Sequence, residues 1–189
     1  MKTSNSHSDV NKQLGNLGES NVCKALRGIK AKFLSNLYVP YNGSTTEVDI
    51  IAICPHMIYV IEVKNYRGFI YGDEGKEYWV QRSRNQCNTF YNPIKQNEGH
   101  INALRQFIKE PMTSIVVFSD ISKIQVKSKS IVIQTKDIKK TVEDIESKSQ
   151  SNVDIDEVYN VLKAFSNSSE ETQDNHLNDL TKRQSCDII

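Results

Sequence analysis

Residues 48–64 read VDIIAICPHMIYVIEVK, and this stretch decides the fold. It includes most of two apolar runs, 46–54 and 57–64, which have the length of strands and are rich in β-branched residues. The short CPH segment between them has the composition of a tight turn. The sequence therefore predicts two antiparallel strands, joined as a hairpin, at the centre of a sheet.

Charged side chains interrupt these apolar strands. Side chains alternate between the two faces of a strand, so Asp49 shares a face with Ile51 and Glu62 shares one with Lys64. The chain reverses midway between Asp49 and Glu62, so a hairpin would bring these two carboxylates together. Burying a lone carboxylate costs several kcal/mol unless it is paired or bound to a metal. The pattern therefore requires a chemical explanation.

Two explanations follow from the residues alone. An ordinary ion pair between Lys64 and either Glu62 or Asp49 is the commoner origin of a single Glu-x-Lys motif. Two converging carboxylates repel each other, however, whereas a hard divalent cation such as Mg²⁺ binds oxygen ligands. A lysine beside that cation can orient a water and stabilise the charge of a phosphoryl transition state. Metal, water and lysine together are what phosphodiester hydrolysis requires.

The rest of the chain adds helices and strands around the hairpin. Asn92 and Pro93 are typical of a helix N-terminus, and the GDEG sequence at 72–75 is typical of a second hairpin turn. The order of elements predicts an α/β domain with one mixed sheet flanked by helices. Helices are predicted over 9–28, 93–109, 137–147 and 154–165, and further strands over 33–39, 69–71, 77–82, 114–118 and 130–134.

Composition predicts one domain and a tail. The chain has 189 residues and a net charge of +1, but residues 141–189 hold eleven acidic and four basic side chains, which leaves +8 on residues 1–140. A basic domain suits a polyanionic partner, although a solvated lysine-rich surface explains the charge equally well. Residues 1–165 are predicted to form the domain. Residues 166–189 are predicted to be a polar, acidic tail of the kind that is often disordered.

The cysteines and the apolar runs indicate the cellular setting. The four cysteines lie far apart and have no zinc spacing, which favours reduced thiols in a cytoplasmic protein over a disulfide framework. No apolar run approaches the roughly 18 residues of a membrane span, so no membrane partner is expected. His56 and His100 are too far apart in sequence to indicate a paired site, and neither is assigned a role.

Taken together, these motifs resemble the NERD (nuclease-related) domain of the PD-(D/E)xK nuclease superfamily. Asp49, Glu62 and Lys64 match its D-x(n)-E-x-K core, with twelve residues between the two acids. A single short motif would be weak, but several in order over about a hundred residues form a specific signal. The motifs, in order, are Gly18-Glu19, Glu47-Val48-Asp49, VIEVKNY at 60–66 with Gly68, Trp79, and NPIKQ at 92–96.

The resemblance implies a restriction-endonuclease-like fold and a metal-dependent deoxyribonuclease activity. It implies that Asp49 and Glu62 bind Mg²⁺ or Mn²⁺ together with the backbone carbonyl of Val63. Glu19, on the first helix, matches an acidic position that faces the metal. Lys64 matches the lysine that positions or activates the attacking water.

The resemblance and the basic composition also indicate how nucleic acid would be bound. Gln96 matches a polar residue on a later helix that borders the family's site. Phosphate contacts supply affinity rather than sequence choice. DNA is expected as the partner ahead of RNA, and a homodimer would allow both strands to be cut. The candidate phosphate contacts are Arg67, Arg82, Arg84, Lys123, Lys127 and Lys129.

Alternative functions remain open at this stage. The chain could be a nucleic-acid-binding module that keeps the fold without catalysis, or an interaction domain in which these charges form a structural network. Tyr66, Trp79, Phe90 and Tyr91 could stack on bases, although packing in the core is the commoner role of such aromatics.

Overall fold

The computed structural model describes residues 7–84 and 86–166, with side chains from Asn16 onward. All of the predicted tail except Ser166 therefore lies outside the described residues. The strands are β1 Lys32–Tyr41, β2 Ser44–Ile53, β3 Ile58–Lys64, β4 Gly68–Asp73, β5 Tyr78–Arg82, β6 Cys87–Tyr91, β7 Met112–Phe118, β8 Ser122–Lys127 and β9 Ile131–Gln134. The helices are α1 His7–Ala25, α2 Pro93–Leu104, α3 Ile138–Glu146, preceded by a 3₁₀ turn at Thr135–Asp137, and α4 Ile155–Lys163.

A five-stranded mixed sheet forms the centre of the fold, with strand order β1-β2-β3-β7-β9. β2 and β3 are antiparallel and paired from Ile53–Ile58 to Ile50–Ile61, which confirms the predicted central hairpin. β7 lies parallel to β3, and β9 lies parallel to β7. β3 is therefore a central strand, as its nearly unbroken apolar sequence predicts.

Helices cover both faces of this sheet, which confirms the predicted α/β class. On one face, α2 and α4 pack over Ile51, Ile53 and Val60. On the other face, α1 and α3 pack over Ile50 and Ile61. The alternation of side chains along β2 and β3 supplies both layers of the core.

A second, four-stranded sheet has the order β6-β5-β4-β8 and includes the second predicted hairpin, β4–β5. The sequence predicted a single sheet, and it predicted neither β6 nor β8. In β8, which reads SKIQVK, polar residues alternate with Ile124 and Val126. A strand with one exposed face therefore has the composition of a lysine-rich connection, and its sequence alone does not predict a strand.

An aromatic cluster joins the second sheet to the first. Trp79 is fully buried and its indole N–H donates to the carbonyl oxygen of Asp73 at 3.0 Å. Its ring stacks on Phe118 of β7, with centroids 6.3 Å apart. A Cβ at Gly72 would lie 2.3 Å from the Trp79 ring, so only glycine fits there. Trp79 therefore packs in the core and is not available to stack on bases.

The N-terminus of α2 is capped as predicted, whereas α1 and α2 both end earlier than predicted. The Asn92 side chain accepts a hydrogen bond from the Ile94 N–H, and Pro93 is the first helical residue, as predicted. α2 ends at Leu104, five residues before the predicted end, and α1 ends at Ala25, three residues before Gly28. None of the described helices is both long and apolar enough to cross a membrane.

Candidate active site

The site begins where the β2–β3 ladder ends. Beyond the Ile50–Ile61 pair, the next residues along the two strands are Asp49 and Glu62. Asp49 Oδ2 accepts a hydrogen bond from the Val63 N–H at 2.8 Å, so a side chain replaces the next rung of the ladder. Burial, and secondly the Glu62 carboxylate, raise the pKa of Asp49 well above its usual range.

Glu62 is the most deeply buried acid of the site, with 1% of its surface exposed. Its Oε1 lies 2.6 Å from Lys64 Nζ, and its Oε2 lies 3.1 Å from His100 Nε2. Burial alone would raise the pKa of Glu62, but the Lys64 ammonium and the hydrogen bond with His100 outweigh it and hold the pKa below its ordinary value. Glu62 is therefore ionised at neutral pH.

Lys64 lies on the same face of β3 as Glu62, as the alternation predicted. Its ammonium donates a hydrogen bond to Gln96 Oε1 at 3.2 Å. Burial alone would lower the pKa of Lys64, but the carboxylates of Glu62 and Asp49 outweigh it and raise the pKa above its ordinary value. Lys64 is therefore a fixed positive charge and not a proton acceptor at neutral pH.

α2 carries the polar groups that cover the acid–lysine pair. Gln96 and His100 are four residues apart, so they project from one face of the helix. Between them, Asn97 donates to the Val60 carbonyl and to Ser114 Oγ, both at 2.8 Å. Because Val60 and Ser114 are paired across β3 and β7, Asn97 fixes α2 over both strands.

His100 connects Glu62 to β2. Its Nδ1 lies 2.8 Å from Thr46 Oγ1. A carboxylate can only accept hydrogen bonds, so the Nε2 that faces Glu62 carries a proton. In the neutral imidazole, Nδ1 then accepts a hydrogen bond from the Thr46 hydroxyl, which is consistent with that tautomer.

Glu19 approaches the site from α1. Burial raises the pKa of Glu19; a hydrogen bond with Asn36 partly offsets this, and the nearby Glu47 and Glu62 carboxylates add to the increase. Asn36 lies within β1 but has a φ of 53°, a left-handed conformation that interrupts the strand beside the site. Burial and the Glu47 carboxylate raise the pKa of Tyr38 to about 12.

Gly18 determines how closely α1 approaches β3. A Cβ at Gly18 would lie 3.0 Å from Asn65 Cβ and 3.1 Å from Val63 Cγ1. The absence of a side chain therefore lets the helix pack against the end of β3. Glu19, the next residue, is carried toward the carboxylates by this close packing.

An open groove borders the site. It has a volume of about 660 Å³, and Lys64, Arg67, Gln81, Ser83, Asn88 and Phe90 are among its lining residues. A second depression of about 460 Å³ lies at a distance, around Met57 and Arg105. The first groove runs along the ends of β3 and β5 and gives access to the exposed part of Lys64.

The predicted basic residues separate into two groups. Arg67, Arg82 and Arg84 line one depression at the end of β4 and β5, and Lys123 lies beside it, with Nζ 5.1 Å from the centre of the Phe69 ring. Lys127 and Lys129 lie at the opposite end of β8. There the Lys127 carbonyl and the Lys129 N–H both bond to Glu74.

The structure brings together the six residues assigned to the site by resemblance, which are Glu19, Asp49, Glu62, Val63, Lys64 and Gln96. Sequence reasoning missed His100, Thr46, Asn97 and Asn36. The spacing of Gln96 and His100 by one helical turn was a signal that could have identified His100. The contacts of Thr46 and Asn36 depend on strand pairing and backbone conformation, which no local pattern reveals.

The donor chemistry of the site fits a hard divalent cation. Asp49, Glu62 and Glu19 offer carboxylate oxygens, which Mg²⁺ and Mn²⁺ prefer. Oδ2 of Asp49 accepts a hydrogen bond from the Val63 N–H, so Oδ1 is the Asp49 oxygen that could bind a cation. In the part of the chain that the structure describes, no group of three or more His, Cys, Asp or Glu side chains is arranged to hold a metal. Because Lys64 Nζ lies 2.6 Å from Glu62 Oε1, cation binding at that oxygen would require the ammonium to move.

Comparison with known proteins identifies the class. Residues 14–119 match the model of the nuclease-related domain, and the chain belongs to this family. Membership indicates a nuclease-related function. An uncharacterized protein of Bacillus anthracis is 30% identical in an alignment of 166 residues that covers 81% of this chain and 77% of that protein. No solved structure matches the chain significantly.

Proposed function

We propose that this protein is a metal-dependent nuclease of the PD-(D/E)xK type that hydrolyses phosphodiester bonds of DNA. The observation that carries the proposal is the convergence of Asp49, Glu62 and Lys64 at the ends of two adjacent strands. A buried carboxylate beside a second acid and an ammonium is costly to maintain. A hydrolytic role explains why such a group is kept next to an open groove.

Asp49 and Glu62 would hold the cation, with Glu19 and the carbonyl of Val63 completing the ligand set. The bound Mg²⁺ or Mn²⁺ would polarise the scissile phosphate and lower the pKa of a water. Asp49 must lose its proton to become a ligand, which its raised pKa opposes in the metal-free protein. His100 holds Glu62 in place and so fixes the direction of its second oxygen.

Lys64 acts as an electrostatic group in this proposal. Its raised pKa keeps it protonated, so it donates hydrogen bonds and does not accept the proton of the attacking water. Its ammonium can stabilise negative charge that develops on the phosphate and can orient the water. Gln96 accepts a hydrogen bond from Lys64 and so restricts where the ammonium points.

The groove beside Lys64 is the proposed path of the substrate. Arg67 lines it, and Arg82 and Arg84 lie next to it, so phosphates can be neutralised close to the acid–lysine pair. Lys123, Lys127 and Lys129 would contribute longer-range attraction. DNA is proposed ahead of RNA.

The decisive experiment measures cleavage of labelled single-stranded and duplex DNA with Mg²⁺ or Mn²⁺. We expect cleavage by the wild type, and loss of cleavage with EDTA, with Glu62→Gln and with Lys64→Met. Each variant is checked for folding by the fluorescence of Trp79. Glu98→Gln, at an exposed position of α2, is the control that should remain active.

Calorimetric titration with Mn²⁺ gives a second readout that does not depend on activity. Binding that disappears in Asp49→Asn supports the proposed ligand. DNA binding without cleavage or cation binding would favour a non-catalytic binding module. Failure to bind either cation or DNA, combined with a large loss of stability in Glu62→Gln, would favour a structural charge network.

The setting of the activity is also a proposal. We propose a cytoplasmic protein whose domain extends over residues 1–165, followed by an acidic tail at 166–189. A homodimer would place two sites on opposite strands of a duplex. Sedimentation with and without DNA measures the oligomeric state directly.

A further inference from the structure

The second sheet has one face turned away from the core. Ile70 and Trp79 point inward and are fully buried, so the alternating residues of β4 and β5 point outward. Phe69 pairs with Arg82, and Tyr71 pairs with Val80, so each pair shares this outer face. On the other side of β4, Phe69 is paired with Lys123. We call this surface the outer face.

Aromatic rings dominate the outer face. The rings of Phe69 and Tyr71 have centroids 6.1 Å apart and planes only 14° from parallel. Tyr78 and Tyr91 lie further along, 56% and 43% exposed, with centroids 6.0 Å apart. Such rings are costly to leave in water, and partly exposed aromatic rings present flat surfaces on which bases can stack.

Basic side chains lie beside Phe69 and Tyr71. The Lys123 ammonium lies 5.1 Å from the centre of the Phe69 ring. Arg67, Arg82 and Arg84 line the same depression as Phe69 and Tyr71, which has a volume of about 500 Å³. Flat aromatic surfaces flanked by arginine and lysine are complementary to nucleotides, which have an apolar base and an anionic phosphate.

The outer face is connected to the acid–lysine site. Arg67 and Ser83 line both the depression at Phe69 and the groove that contains Lys64. A nucleic-acid strand whose bases stack on Phe69 and Tyr71 can therefore continue past Arg67 toward Lys64. Paired bases are stacked inside a duplex and cannot lie on these rings, so the surface selects an unpaired strand.

We propose that the outer face is a binding site for single-stranded DNA, in which Phe69 and Tyr71 stack on bases while Lys123 and Arg82 contact phosphates. The proposal rests on the proposed function for the choice of DNA and for the direction of the strand toward Lys64. The stacking surface itself depends only on the geometry of β4, β5 and β8.

The test is binding of a fluorescent oligothymidylate to the full chain in EDTA, where the proposed cleavage cannot occur. We expect the wild type to bind it at least tenfold more tightly than a duplex of the same length. The double variant Phe69→Ala with Tyr71→Ala should weaken binding by about tenfold or more, since each stacked base contributes strongly to affinity. Phe69→Trp should retain binding, because the flat surface is kept.

Phe107→Ala is the matched control, because Phe107 is a 40% exposed aromatic that packs on Phe165 away from the outer face. Unchanged affinity in the double variant, or tighter binding of duplex than of single strand, would overturn the proposal. Tighter binding of oligouridylate than of oligothymidylate would overturn the choice of DNA.

The proposed function and this inference can fail separately. If the wild type cleaves DNA but binding does not depend on Phe69 and Tyr71, the inference alone is wrong. If no cleavage occurs under any condition but binding depends on both rings, the outer face stands and the nuclease proposal fails.

Discussion

His100 Nε2 lies 3.1 Å from Glu62 Oε2, and both side chains are buried. The other Glu62 oxygen faces the Lys64 ammonium at 2.6 Å. The carboxylate thus meets a strand on one side and a helix on the other. Its orientation is set by the packing of α2 on the sheet as well as by the strand that carries it.

The first prediction concerns this contact. His100→Ala should lower the free energy of unfolding by about 1–3 kcal/mol, because it leaves a buried carboxylate oxygen without its donor. Urea unfolding of His100→Ala, Glu62→Gln and the double variant measures the coupling between the two residues. Additive effects in this cycle would contradict a direct interaction.

The second prediction is a pH dependence caused by Asp49. Because its pKa is raised in the folded state, the folded protein holds a proton that the unfolded chain releases above an ordinary carboxyl pKa of about 4. The folded state then binds more protons, so stability falls as pH rises from there through the raised pKa. Asp49→Asn should flatten this decline, whereas Asp144→Asn, at an exposed position of α3, should not.

Cation binding provides a counterpart to that measurement. A cation that binds only the folded protein stabilises it by mass action. We expect Mn²⁺ to raise the melting temperature of the wild type most at the higher pH values, where Asp49 is ionised. An equal rise in Asp49→Asn would show that the cation binds elsewhere.

The third prediction concerns the loss of the Lys64 charge. Lys64→Met should reduce stability by about 3–5 kcal/mol at neutral pH, since removing one partner of a buried ion pair leaves the other uncompensated. Without the ammonium, burial acts to raise the pKa of Glu62, so protonation of Glu62 removes the uncompensated buried charge. The difference in the free energy of unfolding between wild type and variant should therefore narrow as pH falls, and unfolding curves over a pH series measure it.

The fourth prediction separates backbone strain from side-chain function at Asn36. Asn36 and Asn42 have φ values of 53° and 50°, so alanine at either position should cost about 1–2 kcal/mol and glycine should cost less. Asn42 lies in the β1–β2 turn, away from Glu19. We expect reduced cleavage in Asn36→Gly but not in Asn42→Gly, and equal activity of both would contradict a role for Asn36 in positioning Glu19.

The fifth prediction compares two helical glycines. A Cβ at Gly99 meets no atom within 4 Å, so Gly99→Ala should gain up to about 1 kcal/mol of stability from helix propensity. At Gly18 the new methyl presses on Val63 and Asn65, so Gly18→Ala should gain less or lose stability. Thermal unfolding of both variants distinguishes the two cases, and a full gain at Gly18 would mean that α1 does not pack closely on β3.

The central hairpin and the cap of α2 were predictable because their signals are local. The register of Asp49 and Glu62 follows from the turn between them, and Asn92-Pro93 fixes the start of a helix. β8 was missed because its alternation becomes meaningful only when Ile124 and Val126 pack against the aromatic cluster, which leaves them partly buried. Its parallel pairing with β4 joins segments that are distant in sequence.

The same limit applies to the site. Glu62 and Lys64 were identified from their place in an apolar strand. His100 is linked to Glu62 by the docking of a helix that begins far along the chain. Asn36 contacts Glu19 from a position with an unusual backbone angle. The one-turn spacing from Gln96 indicates the helix face of His100 but not its partner. Nothing in the composition or periodicity of β1 marks the backbone angle at Asn36 in advance.

The parallel pairing of β3 with β7 has a consequence for the protein during its synthesis. Glu62 and Lys64 lie opposite Val116 and Phe118, so β3 gains its second neighbour only after those residues have left the ribosome. The helix that carries His100 and Gln96 is also made before it has this strand to rest on. A nascent chain that stops earlier carries the acids and the lysine on an unfinished sheet, so the proposed site is complete only once most of the domain has been translated.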